Sequence, residues 1–320
     1  MSARWLALSG GVGGAKLVLG LADTLPDPRR LTVVANTGDD FEHFGLTICP
    51  DLDTLMYTLA GVANPATGWG RADDTGTFMQ ALARLGGETW FHLGDADLAT
   101  HVERTRRLGA GESLTAVTRA LSARFGIAAE ILPMSDAPVR TVIVSNDQVM
   151  AFQHYFVRER CEPVVRAIRF EGAAQAKPAP DVLARLADPD LAGVVIAPSN
   201  PLISIDPILG VPGLKAAIAK AGRPVVAVSP IVGGEALKGP TAKMLHELGA
   251  EASVVGIARH YRGLLDGLVI DPVDAAATGA IEALGPAVHI APTVMRTLDD
   301  KRTLARAVVG FARTLTRRKD

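Results

Sequence analysis

Apolar and polar positions along this chain fall into blocks that favour strand, turn and helix in repeating order. Arg4-Trp-Leu-Ala-Leu-Ser9 is a short apolar run, and Gly10-Gly11-Val-Gly13-Gly14 interrupts it. An amphipathic helical stretch follows from Ala15 to Ala22, and Leu31-Thr-Val-Val-Ala35 is a second β-branched run that ends at Asn36. Strand, glycine turn, helix and strand in that order are the sequence form of a βαβ unit. From residue 182 the same alternation returns. Ala192-Gly-Val-Val-Ile-Ala197 leads into Pro198-Ser199-Asn200-Pro201, and Arg223-Pro-Val-Val-Ala-Val228 into Ser229-Pro230-Ile231. Both are continuous apolar runs, as expected of strands covered on two faces. Lys238-Gly239-Pro240-Thr241 predicts a helix start with proline near its first turn. Strand-like runs at Leu268–Ile270 and Val288–Ala291, a helix from about Asp299 to Leu315 and a solvated basic end at Arg317-Arg318-Lys319 complete the pattern.

The middle of the chain has a different character. Helices are expected over Phe78–Leu85, Asp95–Leu108 and Ser113–Phe125, with Ser113 a suitable N-cap. Glu130–Pro133, Arg140–Val144 and Val149–Phe152 then read as strands, the last two joined as a hairpin through Ser145-Asn146-Asp147-Gln148. The prediction is an α/β protein with a Rossmann-like parallel sheet core. Residues 1–61 and 173–320 would form that core, and 62–172 a helical and antiparallel β insertion making a smaller subdomain.

Length and charge narrow the function classes. The 320 residues suffice for a substantial core, and a net charge of -1 gives no electrostatic case for nucleic-acid binding, so a small partner is expected. Cys49 and Cys161 stand far apart, which supports neither a disulfide framework nor a cysteine metal site and fits a reducing, cytoplasmic setting. Residues 4–25 are apolar, but paired glycines and Lys16 break the run, so neither a leader nor a membrane span is expected. A homodimer is the prior for its oligomeric state.

The candidate chemistry sits at strand ends. At a glycine-rich turn feeding a helix, backbone N–H groups and the helix dipole attract phosphate. The turn is not a P-loop, because Ala15 precedes Lys16 and Leu17 follows it; it is not a dinucleotide fingerprint, because Lys16 stands where Gly or Ala is needed and no acid closes the second strand. Either it binds a phosphate or it serves packing alone. Asp39, Asp40, Asp51 and Asp53 cluster after the second strand or at a helix start opened by Pro50. Carboxylates beside a phosphate site point to a divalent cation; the alternative is that they cap the helix or lie in solvated turns. Ser199, Asn200 and Lys238 offer further donors at later strand ends. Trp90-Phe91-His92 places aromatics beside a histidine, either as core or as a stacking surface for a planar ring. No histidine pair has metal-ligand spacing, and no Ser-His-Asp order is evident.

Together, Ser9-Gly-Gly-Val-Gly-Gly-Ala-Lys16, Asn36-Thr-Gly-Asp-Asp40, Cys49-Pro-Asp-Leu-Asp-Thr54, Gly68-Trp-Gly70, Leu93-Gly-Asp95, Ala197-Pro-Ser-Asn-Pro201 and Ser229-Pro-Ile231 resemble, in order and over nearly the whole chain, the 2-phospho-L-lactate transferase family. The resemblance implies transfer of a phospholactyl or phosphoenolpyruvyl group from a guanosine diphosphate-linked donor to a ribityl hydroxyl of the deazaflavin Fo. GMP would be released and magnesium required, in coenzyme F-420 biosynthesis. By the same resemblance, Asp53 and His92 would hold Fo, His92 standing where relatives often carry a basic residue. Asp39 and Asp40 would hold the metal, and Gly11, Gly13, Gly14, Ser199 and Asn200 would face the donor. Asp53, with Asp39, would be the catalytic candidate, orienting the attacking hydroxyl or accepting its proton. The runner-up is a UDP-sugar-binding regulatory protein of the gluconeogenesis-factor type, which shares a glycine-rich first turn.

Overall fold

A computed structural model describes residues 3–146, 148–236 and 239–316. Asp147, Lys238 and the basic end at 317–319, singled out above, lie outside the described residues. The chain begins with β1 (Arg4–Ser9), α1 (Gly11–Thr24), β2 (Leu31–Ala35), β3 (Phe41–His43), β4 (Leu46–Ile48) and α2 (Pro50–Leu59). Helices α3 (Thr77–Arg84), α4 (Asp95–Gly109) and α5 (Leu114–Arg124) precede β5 (Glu130–Pro133), β6 (Arg140–Val144), β7 (Val149–Ala151) and β8 (Ala167–Glu171). Next come α6 (Pro180–Leu186), β9 (Leu191–Ile196), α7 (Asp206–Leu209), α8 (Leu214–Lys220), β10 (Val225–Val228), β11 (Ile231–Val232), β12 (Glu235–Ala236) and α9 (Thr241–Glu247). The chain closes with α10 (Val254–His260), β13 (Gly267–Ile270), α11 (Thr278–Glu282), β14 (Ala287–Ile290) and α12 (Leu298–Thr314).

The expected Rossmann-like sheet is present. Seven parallel strands run in the order β14-β13-β10-β9-β1-β2-β5. Alternate residues of β1 enter the two layers that cover it: Leu6 and Leu8 pack on one face, Trp5 and Ala7 on the other. On the second face α12 lies against α1, where Gly20 removes the Cβ that would collide with the Lys301 carbonyl. The chain leaves β1 toward β2 on one side and returns through β9 on the other. Such a reversal opens a crevice at the carboxyl ends of the strands, between the turns that follow β1 and β9.

The expected insertion is divided. Residues 130–133 join the main sheet, pairing parallel with β2 through Val33–Ile131 and Val34–Leu132. A four-residue apolar run carries no mark of its partner, so only the tertiary contact separates a core edge strand from a hairpin arm. The 62–172 stretch therefore contributes two further parts: α3 to α5, which precede β5 in the chain, and the antiparallel sheet β7-β6-β8, which follows it. A second addition lies in the aspartate-rich stretch, which folds as the β3–β4 hairpin. Its two turn residues, Phe44 and Gly45, both have positive φ (54° and 71°), the geometry that keeps a two-residue turn in step with strand twist. The predicted helices at 78–85, 95–108 and 113–125 form within two residues of those bounds, and the Ser113 hydroxyl accepts the Ala116 N–H at 3.2 Å.

Candidate active site

A cavity of about 850 Å³ opens at the crevice beside the β1 and β9 turns. Its floor is α2 with the start of α1; its walls are the Thr67–Gly70 loop, Phe91–His92, α4, the Phe152–Val157 segment and the 293–296 loop. Two of the chain's additions thus supply walls beside a rim built by the sheet.

Gly10 to Gly13 line the cavity. Gly11 adopts φ +64°, a left-handed backbone that favours glycine, and Gly13 stands where a Cβ would come within 2.8 Å of the Pro198 carbonyl. The turns after β1 and β9 are stitched together. The Gly10 N–H donates to the Ser199 hydroxyl at 3.1 Å, which donates to the Gly10 carbonyl at 2.7 Å. The expectation that Gly14 faces a donor is corrected: it is buried off the cavity, where a Cβ would overlap the Ser9 and Ser199 hydroxyls. Packing sets the residue type there. Ser199 and Asn200 both line the cavity; the Asn200 side-chain oxygen Oδ1 also accepts the Leu202 N–H at 2.9 Å.

The start of α1 already receives an anion. Asp51, near the start of α2, accepts the Gly11 N–H at 2.6 Å through one oxygen and the Asn36 amide at 2.9 Å through the other. It therefore spans between helices instead of capping its own. Asp39 lies nearby, buried, with Oδ1 lacking a hydrogen-bond partner among the described residues. Burial and then the Asp51 charge push the Asp39 carboxyl well above the usual carboxylate range, and burial raises Asp51 to about 6. Two buried, mutually repelling carboxylates lining one cavity, one with an orphaned oxygen, fit a divalent cation that would also meet phosphate oxygens.

Of the expected metal pair Asp39 and Asp40, only Asp39 lines the cavity, together with Asp51. Asp40 is buried but does not line the cavity. Burial raises its carboxyl to about 7, against the opposing pull of Arg140 and a hydrogen bond with Cys49. Adjacent side chains in the 37–40 turn diverge, which spacing alone does not reveal.

Asp53 lines the cavity but is not a free carboxylate. Arg104 of α4 grips both oxygens, Nη1 reaching Oδ2 at 3.1 Å and Nη2 contacting Oδ1. A guanidinium that engages both oxygens holds the carboxylate in one orientation, so Asp53 serves as a fixed acceptor. His92 is exposed at the rim. Phe91 faces the cavity, whereas Trp90 packs edge-on against His154 with centroids 4.8 Å apart, so this motif divides between ligand wall and packing. Trp69, 48% exposed, and Phe156, stacked on Phe152 at 5.4 Å, add flat apolar surface at the mouth.

Several lining residues carried no expectation. In the sequence Lys16 only excludes known fingerprints, yet it lines the cavity and donates to the Met295 carbonyl at 3.0 Å. Tyr57, Asp97 and His101 line it too. Their signal is a helical stripe: Asp53 and Tyr57 on α2, Asp97, His101 and Arg104 on α4, spaced by three or four residues on faces where an apolar stripe is the default.

The profile of the family described as 2-phospho-L-lactate transferase CofD matches residues 6–285. The phosphoenolpyruvate transferase of Streptomyces griseus is 47% identical over 315 residues, covering 97% of this chain and 98% of that one. That of Thermobifida fusca is 41% identical over 328 residues, covering 98% and 99%, and that of a Mycobacterium species (strain KMS) 37% over 329 residues, covering 95% and 97%. Among crystal structures, protein BH3568 of Bacillus halodurans, also described as a member of the UPF0052 family, aligns with a TM-score of 0.63 at 14% identity, covering 97% of this chain and 100% of that one. That likeness is one of fold. No single helix among the described residues is long and apolar enough to cross a membrane.

Proposed function

This chain belongs to the 2-phospho-L-lactate transferase CofD family, and from that premise we propose that it transfers a phosphoenolpyruvyl group from a guanosine diphosphate-linked donor to the deazaflavin Fo in coenzyme F-420 biosynthesis. The observation that carries the reading is convergence at one cavity of the α1 N-terminus, Ser199 and the Asp39–Asp51 pair. The family supplies the transferase chemistry, and the names of the relatives favour phosphoenolpyruvate over phospholactate as the acid. It also sets this reading above the UDP-sugar-binding alternative.

The reaction joins the acceptor hydroxyl oxygen to the phosphorus next to the three-carbon acid and breaks the bond from that phosphorus to the bridging oxygen. GMP leaves with the bond's electron pair, and the hydroxyl proton passes to solvent or buffer. Such a displacement needs alignment and charge neutralisation more than a protein nucleophile. The first turn of α1 and the Pro198–Asn200 turn hold the diphosphate at the rim. Asp39 and Asp51 would hold magnesium, which when bound neutralises phosphate charge. Arg104-clamped Asp53 accepts a hydrogen bond from the acceptor, and Trp69, Phe91 and Phe156 offer faces for its planar ring, with His92 at the rim.

The test is to incubate purified protein with Fo, magnesium and, separately, guanylated phosphoenolpyruvate, phospholactate and phosphoglycerate, and to weigh the products. The phosphoenolpyruvyl adduct and GMP are expected to form fastest. Preference for another acid would overturn the donor assignment, and no adduct with any donor would overturn the reading.

A further inference from the structure

Gln153 lines the cavity in the helical turn over 152–158 that follows β7, and it is 5% exposed. Its side-chain oxygen and nitrogen make no hydrogen bond among the described residues, yet neither atom is sealed inside the protein. The reaction as described does not use it. Asn200, the other carboxamide of the cavity lining, already has its oxygen engaged by the Leu202 N–H and its nitrogen 3.9 Å from the Met244 sulfur. A buried amide without a partner is destabilising, so one left open to a cavity points to a partner from outside the chain.

The turn that carries it is anchored from behind. Phe152 and Tyr155 are buried in an apolar cluster with Ile143, Val165, Ile203 and Met244. Gln153, Phe156 and Val157, three and four residues apart, share a helical face and line the cavity together. His154, next in the chain, packs edge-on against Trp90, which joins this turn to the wall that holds Phe91. The amide thus belongs to the aromatic part of the cavity. A carboxamide donates through N–H and accepts through C=O in one plane, so its full complement is an N–H beside a C=O on the rim of a planar ring.

Resting on the acceptor proposed above, we propose that Gln153 is a specificity-determining residue that reads the pyrimidinedione edge of the deazaflavin. Its Nε2 donates to a ring carbonyl and its Oε1 accepts the ring N–H beside it. The ring's face lies against Phe156, and its edge is what a side chain one turn along the same helical face can meet. Stacking alone leaves a ring free to rotate in its own plane; two hydrogen bonds to one edge remove that freedom. Guanine in the donor carries a similar edge, but the aromatic neighbours of Gln153 favour the acceptor.

The test measures Kd for Fo and its N3-methyl analogue by fluorescence, and for GDP by calorimetry, on wild type and Gln153→Leu. Wild type should bind the N3-methyl analogue about tenfold or more weakly than Fo, because methylation removes the N–H that Oε1 accepts. Gln153→Leu should raise the Kd of Fo by about tenfold and shrink the difference between the two ring ligands below about twofold, with the Kd of GDP within about twofold of wild type. Its melting temperature should not fall, since the amide gives up no partner among the described residues. A lower melting temperature with both ring ligands weakened alike would make Gln153 a mere part of the wall and overturn the proposal. Equal binding of the two ring ligands by wild type, which needs no variant to fold, overturns it too, as does a preference that persists undiminished in Gln153→Leu. A loss confined to GDP would assign the edge to guanine and overturn it equally. Failure of wild type to bind Fo at all would instead overturn the transferase reading, and this proposal with it.

Discussion

The Gly11 N–H and the Asp51 carboxylate meet at 2.6 Å although they belong to two helices and stand 40 positions apart. The contact places a negative side chain at the positive end of α1, so the site holds one anion of its own before any phosphate arrives. On the proposed reading, a phosphate-bearing ligand would share this rim with Asp51 and Asp39, and a cation would reconcile the three.

Asp39→Asn should lower magnesium-dependent turnover by about a hundredfold or more, the scale on which removal of one electrostatic group acts. The fold should persist, because an amide replaces, at nearly equal volume, a buried carboxyl whose Oδ1 has no hydrogen-bond partner among the described residues. Turnover as a function of magnesium concentration, with circular dichroism on the same samples, checks both halves. Undiminished activity would remove Asp39 from the metal site.

Asp40 gives a pH dependence of stability with a definite sign. Its carboxyl is raised to about 7, so the folded state holds a proton that the unfolded chain releases near its ordinary value of 3.8. The resulting stabilisation is fully present below about pH 4 and is lost as pH rises to 7. Asp40→Asn should therefore stabilise the protein at pH 8 relative to wild type and flatten that part of the curve. A tenfold difference in proton affinity between the folded and unfolded chain is worth roughly 1.4 kcal/mol, so urea melts at pH 5 and pH 8 resolve the effect.

Gly14→Ala should cost roughly 1–3 kcal/mol through overpacking. The new methyl would displace the Ser199 hydroxyl from its two bonds to Gly10 and so loosen the join between the β1 and β9 turns. Thermal melting measures the cost, and the KM for the guanylated donor should rise in parallel.

Trp69→Ala should raise the KM for the deazaflavin by roughly tenfold while leaving that for the donor within about twofold, as expected for loss of one aromatic face. Trp69 is 48% exposed in the 67–70 wall, so folding should tolerate the change. Deazaflavin fluorescence titration separates the two ligands. An equal effect on both would place Trp69 outside the acceptor wall.

Part of this was readable in order along the chain. The runs at 4–9, 31–35, 192–196 and 225–228 form sheet strands because continuous apolar segments of that length, broken by glycine and proline, bury both faces only in a parallel sheet. Gly11, Gly13, Ser199 and Asn200 could be placed at the cavity because strand ends on one edge of such a sheet converge. The edge strand at 130–133 could not, since its partner and not its composition decides where it pairs.

What the sequence determined by itself, then, was the alternation that builds the sheet, the glycine turn and the supply of carboxylates, because these follow from local periodicity and backbone freedom. The tertiary structure alone decided which carboxylate does what. Asp51 reaches α1, Asp40 stays out of the cavity lining, and Arg104 clamps Asp53. Those outcomes depend on helix-to-helix register and on the direction of individual side chains, and the spacing of residues along one chain encodes neither.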